Sequence, residues 1–535
     1  MLTMFGAETS AFHVSIGLFL LFLVLLYWYS TSPYSVLQRY GIPHPKPVPF
    51  LGNMMMFRHC SFDGQKALVK KYGRVCGYYM FRRPLVVIAD PDMLRHIMVK
   101  EFNKFPNRMV IDMAAKPLSD SLIMLQDEQW KRVRSILTPT FSAAKMKEMV
   151  PLIHVATETL LNNLQAYAES GKSFNIHRCF GAFTMDVIAS VAFGMNVDSQ
   201  NNPSDPFVYH ASKFFSVSFL HPLVVLFMAF PFLARPMGGL RRNRETREMS
   251  NFFTTCVQKL IKQRDELPSS QRRRDFLQLM LDVRSSKEFA SLDQFDVVNQ
   301  ADEQVVADGN EESCHEPSKP SKQKRMMTED EIIGQAFIFL VAGYETSSNT
   351  LAFICYLLAI HPECQKKVQK EVDDFFTRHD SVDYNNIQEM KYLDMVVCET
   401  LRLYPPAFKP MRNVEHECVV NGQTLPKGAT VEIATGFLHS DPEYWDEPEK
   451  FIPERFTPEA KAGRHPFVYM PFGAGPRSCV GMRIAQLEIR MALTNIFKKF
   501  NVVACKDTEV PLTLKSYSTL GPKNGIFVQI TKREN

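Results

Sequence analysis

The sequence predicts a mainly α-helical protein with small β-sheets, tethered by one N-terminal transmembrane helix. Three observations point there. Residues 11–30 are apolar and free of charge over a length that just spans a bilayer. Apolar residues recur at helical spacing through most of residues 91–282 and again after Thr328, whereas strand signals are short and closed by turn residues. Near the C-terminal end a loop rich in glycine and proline, PFGAGPRSCVG (residues 471–481), runs straight into the apolar-periodic MRIAQLEIRMALTNIFKKF.

Composition sets the outer bounds. The 535 residues are 45% hydrophobic and 22% charged, the profile of an ordinary globular protein with a large core. A net charge of +5 is small for this length; it fits an anionic membrane surface or an acidic partner and does not suggest nucleic acid. The eleven cysteines are scattered with no C-x-x-C pair, which suits a reducing compartment better than a disulfide scaffold or a zinc site.

In chain order, the first element is the membrane anchor, placed within residues 1–35. No Asp, Glu, Lys or Arg occurs between Glu8 and Arg39, and Tyr27, Trp28 and Tyr29 would sit at an interface. A cleaved signal peptide would need a basic leader and a small-residue cleavage site, and neither is seen. Glu8 precedes the segment while Arg39 and Lys46 follow it, so the remainder, residues 36–535, is expected to face the cytosol. Prolines 43, 45, 47 and 49 then enforce an extended strut. Residues 73–90 read as two strands around an Arg-Arg turn.

The helical half that follows carries Trp130 and Arg134 at i and i+4, hence on one helix face; a packed indole beside a solvated arginine would look the same. Residues 214–237 are strongly apolar but broken by Pro222, Pro231 and Pro236, so they predict no second span. Residues 285–324 are dominated by Asp, Glu, Ser, Gln and Lys and read as a mobile linker inside one domain. Thr328 with Glu331 predicts a capping box, opening a helix apolar nearly all round and therefore buried. Gly343, Glu345, Thr346, Ser347 and Ser348 interrupt it. The residues alone leave two readings, a local opening at a cofactor or a notch for helix packing. Glu399 and Arg402 form an i, i+3 pair on a helix apolar elsewhere, so the pair is expected to be buried and to need a third partner. Residues 410–439 read as short strands with Asn-Gly and Lys-Gly turns. Cys479 sits on the glycine-rich loop at a helix start, where backbone amides and the helix dipole favour a thiolate. Arg477, two residues earlier, is placed to meet an anionic group.

Phe472, Gly475, Arg477, Cys479 and Gly481 fit F-x-x-G-x-R-x-C-x-G, with Ala485 following. This loop resembles the haem-binding loop of the cytochrome P450 family. Three further stretches are similar to that family in the same order: W-x-x-x-R at Trp130, A-G-x-E-T at residues 342–346, and E-x-x-R at Glu399 with Arg455 in PERF. The resemblance implies the cytochrome P450 fold, haem as cofactor and Cys479 as the axial ligand of its iron. It implies Trp130, Arg134, Arg108, Arg412, Phe472 and Arg477 as haem contacts. It also makes Glu399, Arg402 and Arg455 a structural triad, and Glu345 and Thr346 a proton-handling pair. For the stretch around Gly343 it selects the opening over the notch, and for residues 214–237 an apolar channel roof that also dips into the membrane. Segments such as CGYYMFRRPLVVIADPDM and DEIIGQAFIFLVAGYE are most similar to an isomerase branch acting on prostaglandin H2, and next to drug-oxidising monooxygenases. The two imply different partners: the isomerase needs neither dioxygen nor NADPH, the monooxygenase needs NADPH–cytochrome P450 reductase. Thr346 stands where the isomerases carry an apolar residue, which keeps the monooxygenase open. An endoplasmic-reticulum location follows from the same resemblance.

Overall fold

One long helix, Glu329–Ile360, organises the fold. Its start is fixed by a complete capping box: Glu331 N–H donates to Thr328 Oγ1 (3.2 Å) and Thr328 N–H to Glu331 Oε2 (2.9 Å). Nearly every residue along it is buried, as an all-round apolar sequence requires. The computed structural model describes residues 2–109, 115–215, 221–233, 244–273, 275–284, 289–290, 323–324, 326–516 and 518–534.

The long helix crosses Ile176–Phe193 at two glycines. A methyl on Gly343 would stand 3.0 Å from Ile188, and one on Gly181 would stand 3.2 Å from the Tyr344 ring. The helix runs unbroken through Gly343, which packs against Ile188 and also borders an internal cavity with Ala342 and Thr346, so the expected opening is a cavity wall and not a break in the helix. Thr346 Oγ1 donates to the Ala342 carbonyl at 2.8 Å, within an intact turn. Ile176–Phe193 is apolar enough to cross a membrane, but 67% of it is buried inside the protein, so it is a core helix.

A four-stranded sheet flanks the helices, in the order Val75–Met80, Arg83–Ile88, Thr430–Ile433, Met411–Asn413. The first two form the expected hairpin, but Met80 pairs with Arg83, so the turn is Phe81–Arg82 and not Arg82–Arg83. Phe81 takes the positive φ (58°) that a tight two-residue turn demands. Leu85 then pairs in parallel with Thr430, and Met411 antiparallel with Glu432. This ladder carries Arg412 into the interior. The Asn421–Gly422 turn, both residues at positive φ, closes the small hairpin Cys418–Val420 and Gln423–Leu425.

The N-terminal helix, Leu2–Thr31, leaves its apolar side chains from Phe12 to Trp28 largely uncovered. It meets the globule at its C-terminal end. There the Tyr29 ring stacks on Phe230 (centroids 5.6 Å apart) and its hydroxyl donates to the Ala229 carbonyl (3.3 Å). The Arg82 guanidinium lies 3.6 Å from the same ring. Of residues 214–237, the helix Pro222–Ala229 and the turn Pro231–Leu233 are described; 216–220 and 234–237 lie outside the described residues. Val225 and Met228 pack on the sheet cluster containing Met54, Tyr78 and Met80. The expected linker, residues 285–324, also lies outside the described residues except for Phe289–Ala290 and Gln323–Lys324, which pair antiparallel.

Glu399 and Arg402 are both fully buried on Lys391–Leu403. Arg402 donates Nε and Nη2 to the Glu399 carboxylate at 2.7 and 2.8 Å. Its remaining hydrogens go to the carbonyls of His439, Pro448 and Lys450, so all five donors are used. Arg455 Nε stands 3.5 Å from Glu399 Oε1, and Ile452 N–H donates to the same oxygen at 3.0 Å. The third partner foreseen for this pair is thus a guanidinium together with a ring of backbone groups. It ties the Lys391–Leu403 helix to the chain leading into the glycine-rich loop.

Candidate active site

The glycine-rich loop is shaped by its own backbone. Ser478 N–H donates to the Gly475 carbonyl (2.8 Å) and Cys479 N–H to that of Phe472 (2.9 Å). Gly475 has φ +67°, and a methyl there would lie 2.0 Å from the Met98 carbonyl oxygen. Both facts demand glycine. The helix Met482–Lys499 starts three residues after Cys479. The thiol is exposed, but into an internal cavity of about 640 Å³ lying between this loop and the long helix. Burial pushes its pKa up. The Gly481 N–H, Arg134 and Arg108 pull it down, so the expected helix-start effect has the right sign and is outweighed. A bound metal cation would reverse that balance.

Six basic side chains border the cavity, Arg58, Arg108, Arg134, Lys409, Arg412 and Arg477, against one acidic residue, Glu488. Arg134 comes from the helix Asp127–Leu137 one turn after Trp130, as the i, i+4 spacing foretold, and both border the cavity. Arg412 is buried with its pKa pulled down to about 9 by desolvation and by Arg108. Arg477 is pulled to about 8 by desolvation and by Arg108, Arg412 and Arg134. Its guanidinium stacks 4.0 Å from the Trp130 ring and donates to the carbonyls of Pro106 (2.9 Å), Leu122 (3.2 Å) and Leu125 (3.0 Å). Arg477 therefore fastens the loop to the Trp130 region, with one hydrogen left on each terminal nitrogen. Buried Nε atoms of Arg108 and Arg412 have no partner. Mutually repelling, partly unsatisfied cations on one wall describe a place for anionic groups.

Thr346 borders the cavity, as does Phe472 of the loop. Glu345 does not. Its carboxylate is engaged instead by Lys515 Nζ at 3.5 Å and by the Thr519 hydroxyl at 3.4 Å. The expected acid–threonine pair at one point is corrected accordingly.

Sequence reading missed Glu488. It sits on Met482–Lys499, buried, and borders the cavity. Desolvation raises its pKa to about 8, and a hydrogen bond with Ser347 of the long helix only partly offsets this. A lone acid on an apolar helix face was the available signal. The folded pKa lies above the unfolded value of 4.5, so the folded state holds the proton longer and stability falls as pH rises from 4.5 to about 8. The slope reaches about 1.4 kcal/mol per pH unit. Thermal midpoints across that window should therefore drop less in Glu488→Gln than in the wild type, and parallel curves would refute the buried-acid assignment.

Comparison with known proteins bears directly on this arrangement. The family model described as Cytochrome P450 matches residues 42–311 and 308–529. The chain belongs to the cytochrome P450 family. It is an enzyme of that family, mostly helical with small sheets, and similar over its whole length to particular members. It is 46% identical over 528 residues to thromboxane-A synthase of Rattus norvegicus, covering 98% of each chain. Against thromboxane-A synthase of Sus scrofa it is 45% identical over 521 residues, 97% of each. Cytochrome P450 3A6 of Oryctolagus cuniculus is 39% identical over 514 residues, 96% of each. The P450 family is a haem-thiolate family, and the site fits haem on two structural grounds. A cysteine sulfur opens into the cavity from a loop of fixed shape, and orphaned guanidinium nitrogens on the neighbouring wall suit the two carboxylates of the porphyrin.

Proposed function

We propose that this P450 is a haem-thiolate isomerase that converts prostaglandin H2 to thromboxane A2, with a hydroxyheptadecatrienoic acid and malondialdehyde as by-products. The observation that carries this reading is the 45–46% identity, end to end, with thromboxane-A synthases, against 38–39% with the drug-oxidising relatives. The geometry supports it. An endoperoxide carries its own O–O bond, so no proton delivery to bound dioxygen is required, and Glu345 is turned from the cavity toward Lys515.

Cys479 would hold the haem iron, and Arg108, Trp130, Arg134, Arg412, Phe472 and Arg477 would hold the porphyrin and its carboxylates. Haem held there supplies an electron-rich, thiolate-bound iron able to break the endoperoxide O–O bond without dioxygen or NADPH. The chain's own part is to orient and to exclude water. Ile338, Phe339, Phe141 and Ile188 present apolar surface to the cavity. The Thr346 hydroxyl donates its hydrogen bond to the Ala342 carbonyl, 2.8 Å away. Residues 1–35 would anchor the enzyme in the endoplasmic-reticulum membrane and residues 36–535 form one cytosolic catalytic domain. The exposed Phe232 beside Tyr29 extends the apolar face of the anchor onto that domain.

The test is conversion of prostaglandin H2 by purified ferric enzyme, anaerobically and without reductase. Turnover is expected, and Thr346→Ile at equal haem content should change its rate less than about tenfold, or ~1.4 kcal/mol of barrier. One observation favours a second reading, an NADPH–cytochrome P450 reductase-dependent monooxygenase of lipophilic substrates: Thr346 does border the cavity. Turnover that needs NADPH, reductase and oxygen, and collapses in Thr346→Ile, would select it.

A further inference from the structure

Among the basic residues around the cavity, Lys409 has a different set of charged neighbours. Arg108, Arg134, Arg412 and Arg477 act on one another across one wall. Lys409 stands three residues before Arg412, and the groups that act on its ammonium are Glu432 and Cys60. It lies in the segment between Lys391–Leu403 and the strand Met411–Asn413. Its neighbours Phe408 and Pro410 border the cavity with it. Its ammonium is 5.3 Å from the Phe408 ring centroid.

Glu432 does not neutralise it by contact. That carboxylate accepts from Gln65 Nε2 (2.7 Å) and from the Tyr78 hydroxyl (2.7 Å), and no ion pair joins it to Lys409 among the described residues. Burial pulls the Lys409 pKa down, the mark of a cation short of counter-charge. Arg58 borders the same cavity from an exposed position, with its Nε donating to His59 Nε2 at 2.8 Å. The wall between the charged groups is largely apolar, with Met54, Phe57, Met80 and Ile338 contributing. A chamber that offers apolar surface and a half-desolvated cation is complementary to a long apolar molecule ending in an anion.

We propose that Lys409, assisted by Arg58 at the rim, is a binding site for the carboxylate of an amphipathic, fatty-acid-like substrate. This deepens the isomerase reading and rests on it, since it takes the cavity as the substrate chamber. Lys409 would fix where the carboxylate end of the substrate lies in the chamber, which makes it a positioning and specificity residue.

The experiment is calorimetric titration of the haem-loaded enzyme with arachidonic acid and with its methyl ester, which share the apolar body and differ in charge. The wild type should bind the acid about tenfold more tightly, which is ~1.4 kcal/mol. Lys409→Met should abolish that preference while leaving ester affinity unchanged, which certifies the fold. Lys409→Arg should restore it. Arg58→Ala should reduce it less, because a solvated charge is screened. A wild type that binds acid and ester equally, or a preference that survives Lys409→Met, overturns the proposal. Prostaglandin H2 conversion by the same preparations separates the two readings. Acid preference without conversion keeps the carboxylate site and removes the isomerase; conversion without acid preference does the reverse.

Discussion

Cys479→Ala should give a folded protein that has lost the thiolate-type absorption of its ferrous carbonyl complex and at least about 10³-fold of its activity, ~4 kcal/mol of barrier. The fold should survive because the loop does not depend on the sulfur. Cys479 N–H to Phe472 and Ser478 N–H to Gly475 are backbone bonds, and the side chain faces the cavity. Alanine removes only the sulfur atom and its hydrogen. Any haem still held by the arginine wall would then lack an axial thiolate, and the spectrum separates that state from simple haem loss. A variant that keeps the thiolate-type spectrum would show that another residue is the ligand.

Glu399→Ala should cost about 3–5 kcal/mol, because it strips the counter-charge from a guanidinium that is itself fully buried. Two Arg402 donors and the Ile452 N–H would lose their acceptor at once, and the nearby Arg455 would add uncompensated repulsion. Set against a total stability of roughly 5–15 kcal/mol, little haem-loaded protein should accumulate. Glu399→Gln keeps an acceptor oxygen in place and should fall between the two. The measurement is the yield of haem-loaded enzyme and its thermal midpoint in detergent. An alanine variant within about 1 kcal/mol of wild type would mean that the carbonyls of His439, Pro448 and Lys450 hold Arg402 without the carboxylate.

Local chemistry was legible where it depends on neighbours in the chain. The capping box at Thr328, the Asn421–Gly422 turn, the Gly475 bend and the single face shared by Trp130 and Arg134 all follow from spacing alone, and each is present. The long apolar N-terminal helix was legible for the same reason, since an uncharged apolar run is a property of composition. Around Gly343 the sequence was ambiguous, because glycine in a buried helix serves a notch or an opening equally well. Only the fold shows that it serves both: Ile188, 155 positions away in the sequence, packs on it, and it borders the cavity.

Sequence by itself determined the family, the cysteine that opens on the site and the triad that holds its loop, because these are written as fixed spacings of chemically specific residues. Tertiary structure alone decided which way each helix residue faces and which charges share one cavity. Glu345 points to Lys515, Glu488 is desolvated, and Lys409 borders the cavity with no ion pair among the described residues. The physical reason is that pairing and desolvation depend on groups brought together from distant parts of the chain. A carboxylate or an ammonium has no fixed charge, partner or direction until that packing supplies its surroundings.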